Sequence, residues 1–302
     1  MSHASEPFDV IVVGGGPAGL SAALMLGRCQ RRVLLCDLGQ PRNRRSRALH
    51  GYLTRDGIAP ATLLDLGRRE LEPYGVQIRA ASVTGVVRMR DGFQVCVGGV
   101  DESCRFLLLA TGVVDDLPLV RGFDDCYGRS VFHCPYCDGW EMRGRRLAAM
   151  GGGGDAVGLA LGLKTWSADV TLCTNGTSID PRLRRRLTRN SIAIREETIV
   201  ELVHADGCVN AIAFAGGPPQ PIDALFFSSG QHPQSDLAVN LGCALTSRGT
   251  VRTGTLSDTN VPRVFVAGDA SRDAQFVVVA AAEGIKAAVA INKALQREEL
   301  VR

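Results

Sequence analysis

A chain of 302 residues, 45% hydrophobic and 22% charged, is long enough for two compact domains and too balanced for a disordered or fibrous protein. Its net charge of +3 is too mild to argue for nucleic acid. Charges or glycines interrupt every apolar run before the ~18 residues a membrane helix needs, so no membrane partner is expected. The opening MSHASEPFDVIVVGGG lacks the basic start and long apolar core of a signal peptide, which makes the cytoplasm the expected location.

The run FDVIVV at 8–13 is short, apolar and β-branched; a glycine-rich turn and the helical pattern LSAALMLGRC follow, then the strand RVLLCD. ATLLDLGRRELEPYG predicts a helix, and VQIRAASVTGVVRMR, GFQVCVG and CRFLLLATG predict strands with tight turns. A second strand–glycine turn–helix unit, RRLAAMGGGGDAVGLALGLKTW with the strand DVTLC after it, begins about 140 residues after the first. PIDALFFSSG and VPRVFVAGD read as further strands, and QFVVVAAAEGIKAAVAINKAL as a closing helix whose FVVV start also suits a strand. VVDDLPLVRG near 115 and GGPPQP at 216–221 have the composition of linkers.

Gly14-x-Gly16-Pro17-Ala18-Gly19 lies between a predicted strand and a predicted helix, and Asp37 ends the next strand, 23 residues after Gly14. Strand, helix and acid fall where a dinucleotide fold needs them. Gly14 allows the tight turn, Gly16 lets backbone approach a pyrophosphate, and Gly19 lets helix and strand pack closely. The helix N-terminus offers free N–H groups and partial positive charge to phosphates. Asp37 can accept hydrogen bonds from ribose hydroxyls.

Ten cysteines are present, and eight are scattered as small core hydrophobes would be. Cys134 and Cys137 alone stand at redox or metal spacing. Pro135 presets a helical start, and a thiol at the helix's positive end is stabilised as thiolate. His133 can add charge when protonated, and Asp138 can move a proton as thiol and thiolate interconvert. Zinc is the competing reading, but it needs four ligands; there is no second C-x-x-C, and the five histidines are dispersed, so no metal is expected. The absence of a GxSxG elbow removes support for hydrolase chemistry.

GGGPAGLSAAL, LLLATG, C-x-x-C-D, the second glycine loop and VFVAGDA, in this order, resemble the low-molecular-weight thioredoxin reductase family across nearly the whole chain. The resemblance implies an α/β fold of two dinucleotide-binding (Rossmann-like, three-layer ββα) domains, the second inserted into the first. It divides the chain into an FAD domain from residues 1–115 and 226–302 and a NAD(P)-binding-like domain at 116–225 carrying the cysteines. Thr111 and Gly112 at one strand end, and Gly268 and Asp269 at another, resemble further FAD contacts. By the same resemblance Cys137 faces the flavin, Cys134 attacks an external disulfide, and Asp138 is the acid/base. A homodimer is implied, as is a rotation of the small domain near 115 and 225. The expected partner is a thioredoxin-like protein or a small dithiol or disulfide.

The chain also departs from that pattern. Relatives using NADPH carry an arginine motif for the 2′-phosphate where this chain has Thr174-Asn175-Gly176-Thr177-Ser178-Ile179-Asp180, so NADPH use is left open. The arginines at 182, 184, 185 and 186 are read as a solvated helix face. The Arg-Gln pair usual before the last helix is replaced by Gln275-Phe276, which changes the expected flavin environment. Arg42, Arg44, Arg45 and Arg47 form a basic run read as a solvated loop, with FAD phosphates or an acidic protein as the sharper alternative. Trp140 is expected as a buried aromatic. The leading function is FAD-dependent exchange of electrons with a dithiol/disulfide substrate through Cys134/Cys137. A dithiol oxidase passing electrons to oxygen and a non-catalytic flavin sensor are the alternatives.

Overall fold

A computed structural model describes residues 6–228, 230–271 and 274–300. In chain order the first elements are β1 (Phe8–Val13), α1 (Pro17–Arg28), β2 (Val33–Cys36), α2 (Pro60–Leu71), β3 (Gln77–Arg79), β4 (Val83–Arg88), β5 (Phe93–Val97), β6 (Val100–Leu109) and β7 (Val113–Asp115). There follow α3 (Phe123–Cys126), β8 (Val131–Phe132), α4 (Pro135–Asp138), β9 (Leu147–Met150), α5 (Gly153–Leu163), β10 (Val170–Cys173), α6 (Pro181–Arg189) and β11 (Ala193–Arg195). The chain continues through β12 (Ile199–Ala205), β13 (Cys208–Phe214), β14 (Gln220–Pro221), β15 (Ala224–Phe227), β16 (Gln231–Pro233), α7 (Leu237–Asn240), β17 (Val264–Val266) and α8 (Val277–Leu300).

Two compact units result. The first gathers residues 1–44, 60–114 and 231–302; the second gathers 45–59 and 115–230. In the first, a seven-stranded sheet runs β3-β2-β1-β6-β5-β4, with β17 on β6. Its β1, β2, β3 and β17 contacts are parallel, and β4-β5-β6 form an antiparallel meander. Side chains alternate across a strand, so Val10 and Val12 join one apolar cluster with α1 and α8 while Ile11 and Val13 join another on the opposite face. That is why FDVIVV is apolar almost throughout instead of alternating with polar residues.

The second unit repeats the logic in a five-stranded parallel sheet, β11-β10-β9-β15-β8, beside a three-stranded antiparallel sheet, β12-β13-β14. Ala148 and Met150 of β9 face one core, and Leu147 and Ala149 the other. GGPPQP is not a linker: it forms the turn between β13 and β14 and then β14 itself, inside this unit. The prolines suit it to a turn and an edge strand, since they donate nothing to a ladder. VQIRAASVTGVVRMR divides into β3 and β4, and the closing helix starts at Val277, its alanine-rich body deciding against strand. The α/β, two-domain Rossmann-type expectation is met. Among the described residues no helix is long and apolar enough to cross a membrane.

Candidate functional site

The first glycine loop has the shape its residues predict. Gly14 has φ +108°, and a Cβ there would overlap the Ala110 carbonyl oxygen at the end of β6. A Cβ on Gly19 would overlap the Gly14 oxygen, so α1 can start this close to β1 only without a side chain. At Gly16 a Cβ would meet nothing within 4 Å, which leaves an open cradle at the helix start. Gly16 is the N-cap and makes no side-chain cap, Pro17 opens the helix, and its first turn carries no acid. The N–H groups and positive dipole end are therefore unopposed, as an anionic pyrophosphate requires.

Asp37 follows β2 with its carboxylate against Gly15. It accepts from the Gly39 N–H at 3.1 Å and from Arg68 Nη2 at 2.9 Å. Arg68, on α2, is a partner no spacing announced. Thr111 and Gly112 stand just past β6, where Gly112 has φ +72° and its carbonyl accepts from the Gln234 N–H at 3.2 Å. Gly268, past β17, donates its N–H to Glu283 Oε2 at 3.0 Å. Glu283 is a buried acid on the alanine-rich α8, and that mismatch is the signal that marks it in the sequence.

Arg42 is not a solvated side chain. Its Nη1 meets Asp269 Oδ2 at 3.1 Å and Gln275 Oε1 at 2.5 Å, and its side chain is only 15% exposed. The structure thus joins three residues that lie 227 and 233 positions apart along the chain. The Gln275 Nε2 is buried without a hydrogen-bond partner, a polar group that a bound ligand would satisfy. Phe276 is partly exposed beside it, at 38%. The open cradle at Gly16 and the orphaned Gln275 amide fit a bound flavin dinucleotide.

In the second unit, Cys134 and Cys137 form a disulfide with Cα atoms 5.3 Å apart. Cys134 is the N-cap of α4, its sulfur accepting from the Cys137 N–H at 3.1 Å, and Pro135 opens the helix. Asp138 closes that turn. Burial is the main cause that lifts its carboxyl from 3.8 to about 7; the Glu141 charge adds to the rise and His50 opposes it. His133 is exposed, its Nδ1 3.4 Å from the Tyr127 hydroxyl. His50 and Glu141 escaped sequence reasoning. His50 lies 84 residues before Cys134, in the excursion 45–59 that belongs to this unit. Trp140 is 63% exposed, not buried, and lies under the Arg143 guanidinium at 4.1 Å from its ring centre. Tyr136, also exposed, meets Trp166 edge-on at 5.7 Å.

The other cysteines differ sharply from this pair. Burial pushes the Cys36 thiol to about 11 and the Cys104 and Cys173 thiols to about 12, which leaves them protonated and unreactive. Cys126 and Cys243 are buried as well, and Cys208 is exposed.

The second glycine loop, Gly151 to Ala156, leads into α5, whose first turn carries Asp155. After β10, Thr174 Oγ1 donates to the Thr177 carbonyl, Asn175 Oδ1 accepts the Ile199 N–H at 2.8 Å, and Asp180 caps α6. Those side chains hold the loop itself. Arg184 pairs with Glu196, and Arg182, Arg185 and Arg186 lie on the exposed side of α6, as a solvated basic face would.

Two dinucleotide-type glycine loops and a disulfide at a helix start define the protein's class, a two-domain redox flavoprotein fold. The chain belongs to the pyridine nucleotide-disulphide oxidoreductase family, whose model matches residues 8–284. It is a thioredoxin-reductase-like, flavin-dependent oxidoreductase acting on sulfur groups. Thioredoxin reductase sirT of Leptosphaeria maculans is 29% identical over 321 residues, which cover 97% of this chain and 95% of that one. The crystal structure of HlmI matches with a TM-score of 0.93 and 35% identity, covering 98% of this chain and 94% of its own. An oxidoreductase from Agrobacterium tumefaciens matches at 0.90 and 32%, covering 96% and 99%.

Proposed function

We propose that this chain holds FAD in its first unit and exchanges electrons between that flavin and a dithiol/disulfide substrate through Cys134 and Cys137. The observation that carries the reading is the disulfide at the start of α4 with a carboxyl poised near neutrality in the same turn. Gly14, Gly16, Pro17, Ala18 and Gly19 would seat the pyrophosphate, Asp37 the ribose, and Thr111, Gly112, Gly268, Asp269, Gln275 and Phe276 the remainder. When bound, the flavin supplies or accepts an electron pair.

Every other step belongs to the chain. The α4 N-terminus stabilises the Cys134 thiolate, which attacks one sulfur of the substrate disulfide and releases the other. Cys137 then attacks Cys134, closing the internal disulfide and freeing the second substrate thiol. Asp138 carries the proton that each departing sulfur requires, its carboxyl lying near the pH at which both forms coexist. His133 sits next to Cys134 and adds positive charge when protonated.

The test is substitution of the pair. Cys134→Ser and Cys137→Ser should each abolish disulfide exchange while the protein stays flavin-loaded, read by absorbance and by thiol release from an aromatic disulfide. Unchanged exchange in Cys134→Ser would sink the proposal, and a biological role left intact by that variant would favour the flavin-sensor reading. A second reading runs the flux backwards, closing a small dithiol and passing electrons to oxygen. It is favoured by the loop after β10, whose Thr174, Asn175 and Asp180 are spent on internal hydrogen bonds and offer no cation to a 2′-phosphate. Anaerobic mixing decides between them: rapid bleaching of the flavin by NADPH supports the reductase, and bleaching by dithiols alone supports the oxidase. A cytoplasmic setting belongs to the proposal, since a reducing compartment keeps the eight other thiols free.

Asp138 also predicts a pH dependence of stability. Its carboxyl is raised in the folded protein, which therefore holds a proton that the unfolded chain releases above 3.8. That contribution is complete below 3.8 and is lost as pH rises toward about 7. Asp138→Asn removes the slope, so its melting temperature should gain on the parent's across this window and level off above it. Parallel melting curves at every pH would contradict the assignment.

A further inference from the structure

Gln275 stands just outside the last helix. The Ala280 N–H donates to the Phe276 carbonyl at 2.9 Å, so the hydrogen bonds of α8 begin at Phe276 and leave Gln275 one residue before it. That end of α8 lies against the first turn of α1. A Cβ on Gly268, just past β17, would stand 3.1 Å from the Ala18 Cβ and 3.6 Å from the Ala280 Cβ. The Gln275 amide thus belongs to the same end of the sheet as the open cradle at Gly16. Its two polar atoms are treated differently. Oε1 accepts from Arg42 Nη1 at 2.5 Å, while Nε2 is buried with no hydrogen-bond partner. The guanidinium is itself held: Nη1 also meets Asp269 Oδ2 at 3.1 Å, and Nη2 meets Gln231 Oε1 at 3.5 Å. A guanidinium carries donors and no acceptor, so it can hold an amide only by the oxygen. A flipped Gln275 would set N–H groups against N–H groups. Arg42 therefore dictates which end of the amide is left over, and that end is the donor.

We propose that Arg42, clamped by Asp269, is a positioning residue that locks the Gln275 amide with its N–H groups presented to an acceptor atom on the riboflavin half of FAD. The inference rests on the reading that the first unit holds FAD, and deepens it by giving the site a polarity. Buried N–H donors with nothing to accept them destabilise the folded chain, and a ligand acceptor relieves them. The free N–H groups at the start of α1 suit the pyrophosphate, so the acceptor is assigned to the other half of the molecule. Arg42 makes the demand strict. A neutral neighbour able both to give and to accept would let the amide turn over, and the site would then tolerate a donor as well. Orientation is also the reason this guanidinium is withdrawn from solvent, its side chain only 15% exposed. A buried arginine needs a counter-charge, and Asp269 supplies it. Arg42 acts on the flavin through Gln275.

The test titrates the full-chain apoprotein with FAD, read by flavin fluorescence, and with ADP as the probe of the pyrophosphate half. Gln275→Glu keeps an oxygen for Arg42 and removes the donor; Gln275→Met removes both without adding charge. Each should weaken FAD binding about tenfold or more and leave ADP binding unchanged. Gln275→Glu should do so without lowering the melting temperature of the apoprotein, a split that a packing defect does not produce. Arg42→Met should weaken FAD binding in the parent, and at least about threefold less in the Gln275→Met background, where the amide it orients is gone. The proposal is overturned if Gln275→Glu keeps the parent's FAD affinity, if ADP is lost as steeply as FAD, or if Arg42→Met has the same effect in both backgrounds. Should Arg42→Met fail to fold, the Gln275→Glu titration decides alone. The two levels separate cleanly. A parent that takes up no FAD defeats the reading of the first unit, whereas a parent that binds FAD no better than its variants defeats only the role given to Arg42 and Gln275.

Discussion

The molecule contains two strand–glycine turn–helix units with the same local grammar and different endings. In the first, α1 begins without an acid, its cradle at Gly16 is open, and Asp37 comes directly after the following strand. In the second, Asp155 stands in the first turn of α5 and meets the positive end of the helix, and Thr174, directly after the following strand, bonds to its own loop. A glycine loop supplies room and free N–H groups. Whether a dinucleotide uses them is decided by the charges at its rim. Both helix starts lack a side-chain cap; the first carries no acid in its opening turn, and the second carries Asp155 there.

Substitution at one glycine of each loop should expose that contrast most strongly. Gly19→Ala forces a Cβ onto the Gly14 oxygen, so a loss of roughly 1–3 kcal/mol or more and of bound flavin is expected. Gly152→Ala places its Cβ 3.8 Å from Thr177, an ordinary contact, and should shift stability by less than about 0.5 kcal/mol with flavin content unchanged. Thermal melting and flavin absorbance after gel filtration read both. Equal flavin loss in the two variants would break the comparison.

The acid positions come next. Asp37→Ala removes the partner of Arg68 and the expected ribose acceptor, and should weaken flavin retention by about 1.5–3 kcal/mol in a flavin titration of the apoprotein. Thr174→Val, at the matching place in the second unit, should leave that titration unaltered. The smallest effect is at Gly158, an exposed position inside α5 where a Cβ meets nothing within 4 Å. Gly158→Ala should stabilise the protein by about 0.5–1 kcal/mol in denaturant unfolding. A loss there would mean that the surface of α5 is occupied by something the folded chain alone does not contain.

Much of this was legible because it is local. The turn at Gly14, the helix opened by Pro17, and the disulfide at Cys134 and Cys137 each follow from residues within a few positions of one another. Glu283 was half-legible, an acid on a face otherwise alanine, glycine, isoleucine and leucine. Trp140 was misjudged because aromatic character alone does not say whether a cationic neighbour such as Arg143 will cover the ring at the surface. Arg42 was misjudged for a related reason: four arginines within six residues look like a solvated run, and the carboxylate that buries one of them lies 227 positions away.

By itself the sequence determined the elements, the glycine turns and the redox pair, because backbone sterics and helix-end electrostatics act over one or two turns of chain. Only the tertiary structure decided which charges meet: Arg68 with Asp37, Arg42 with Asp269 and Gln275, and His50 with Glu141. Electrostatic coupling depends on distance in space and on burial, and neither is written in the spacing of residues along the chain.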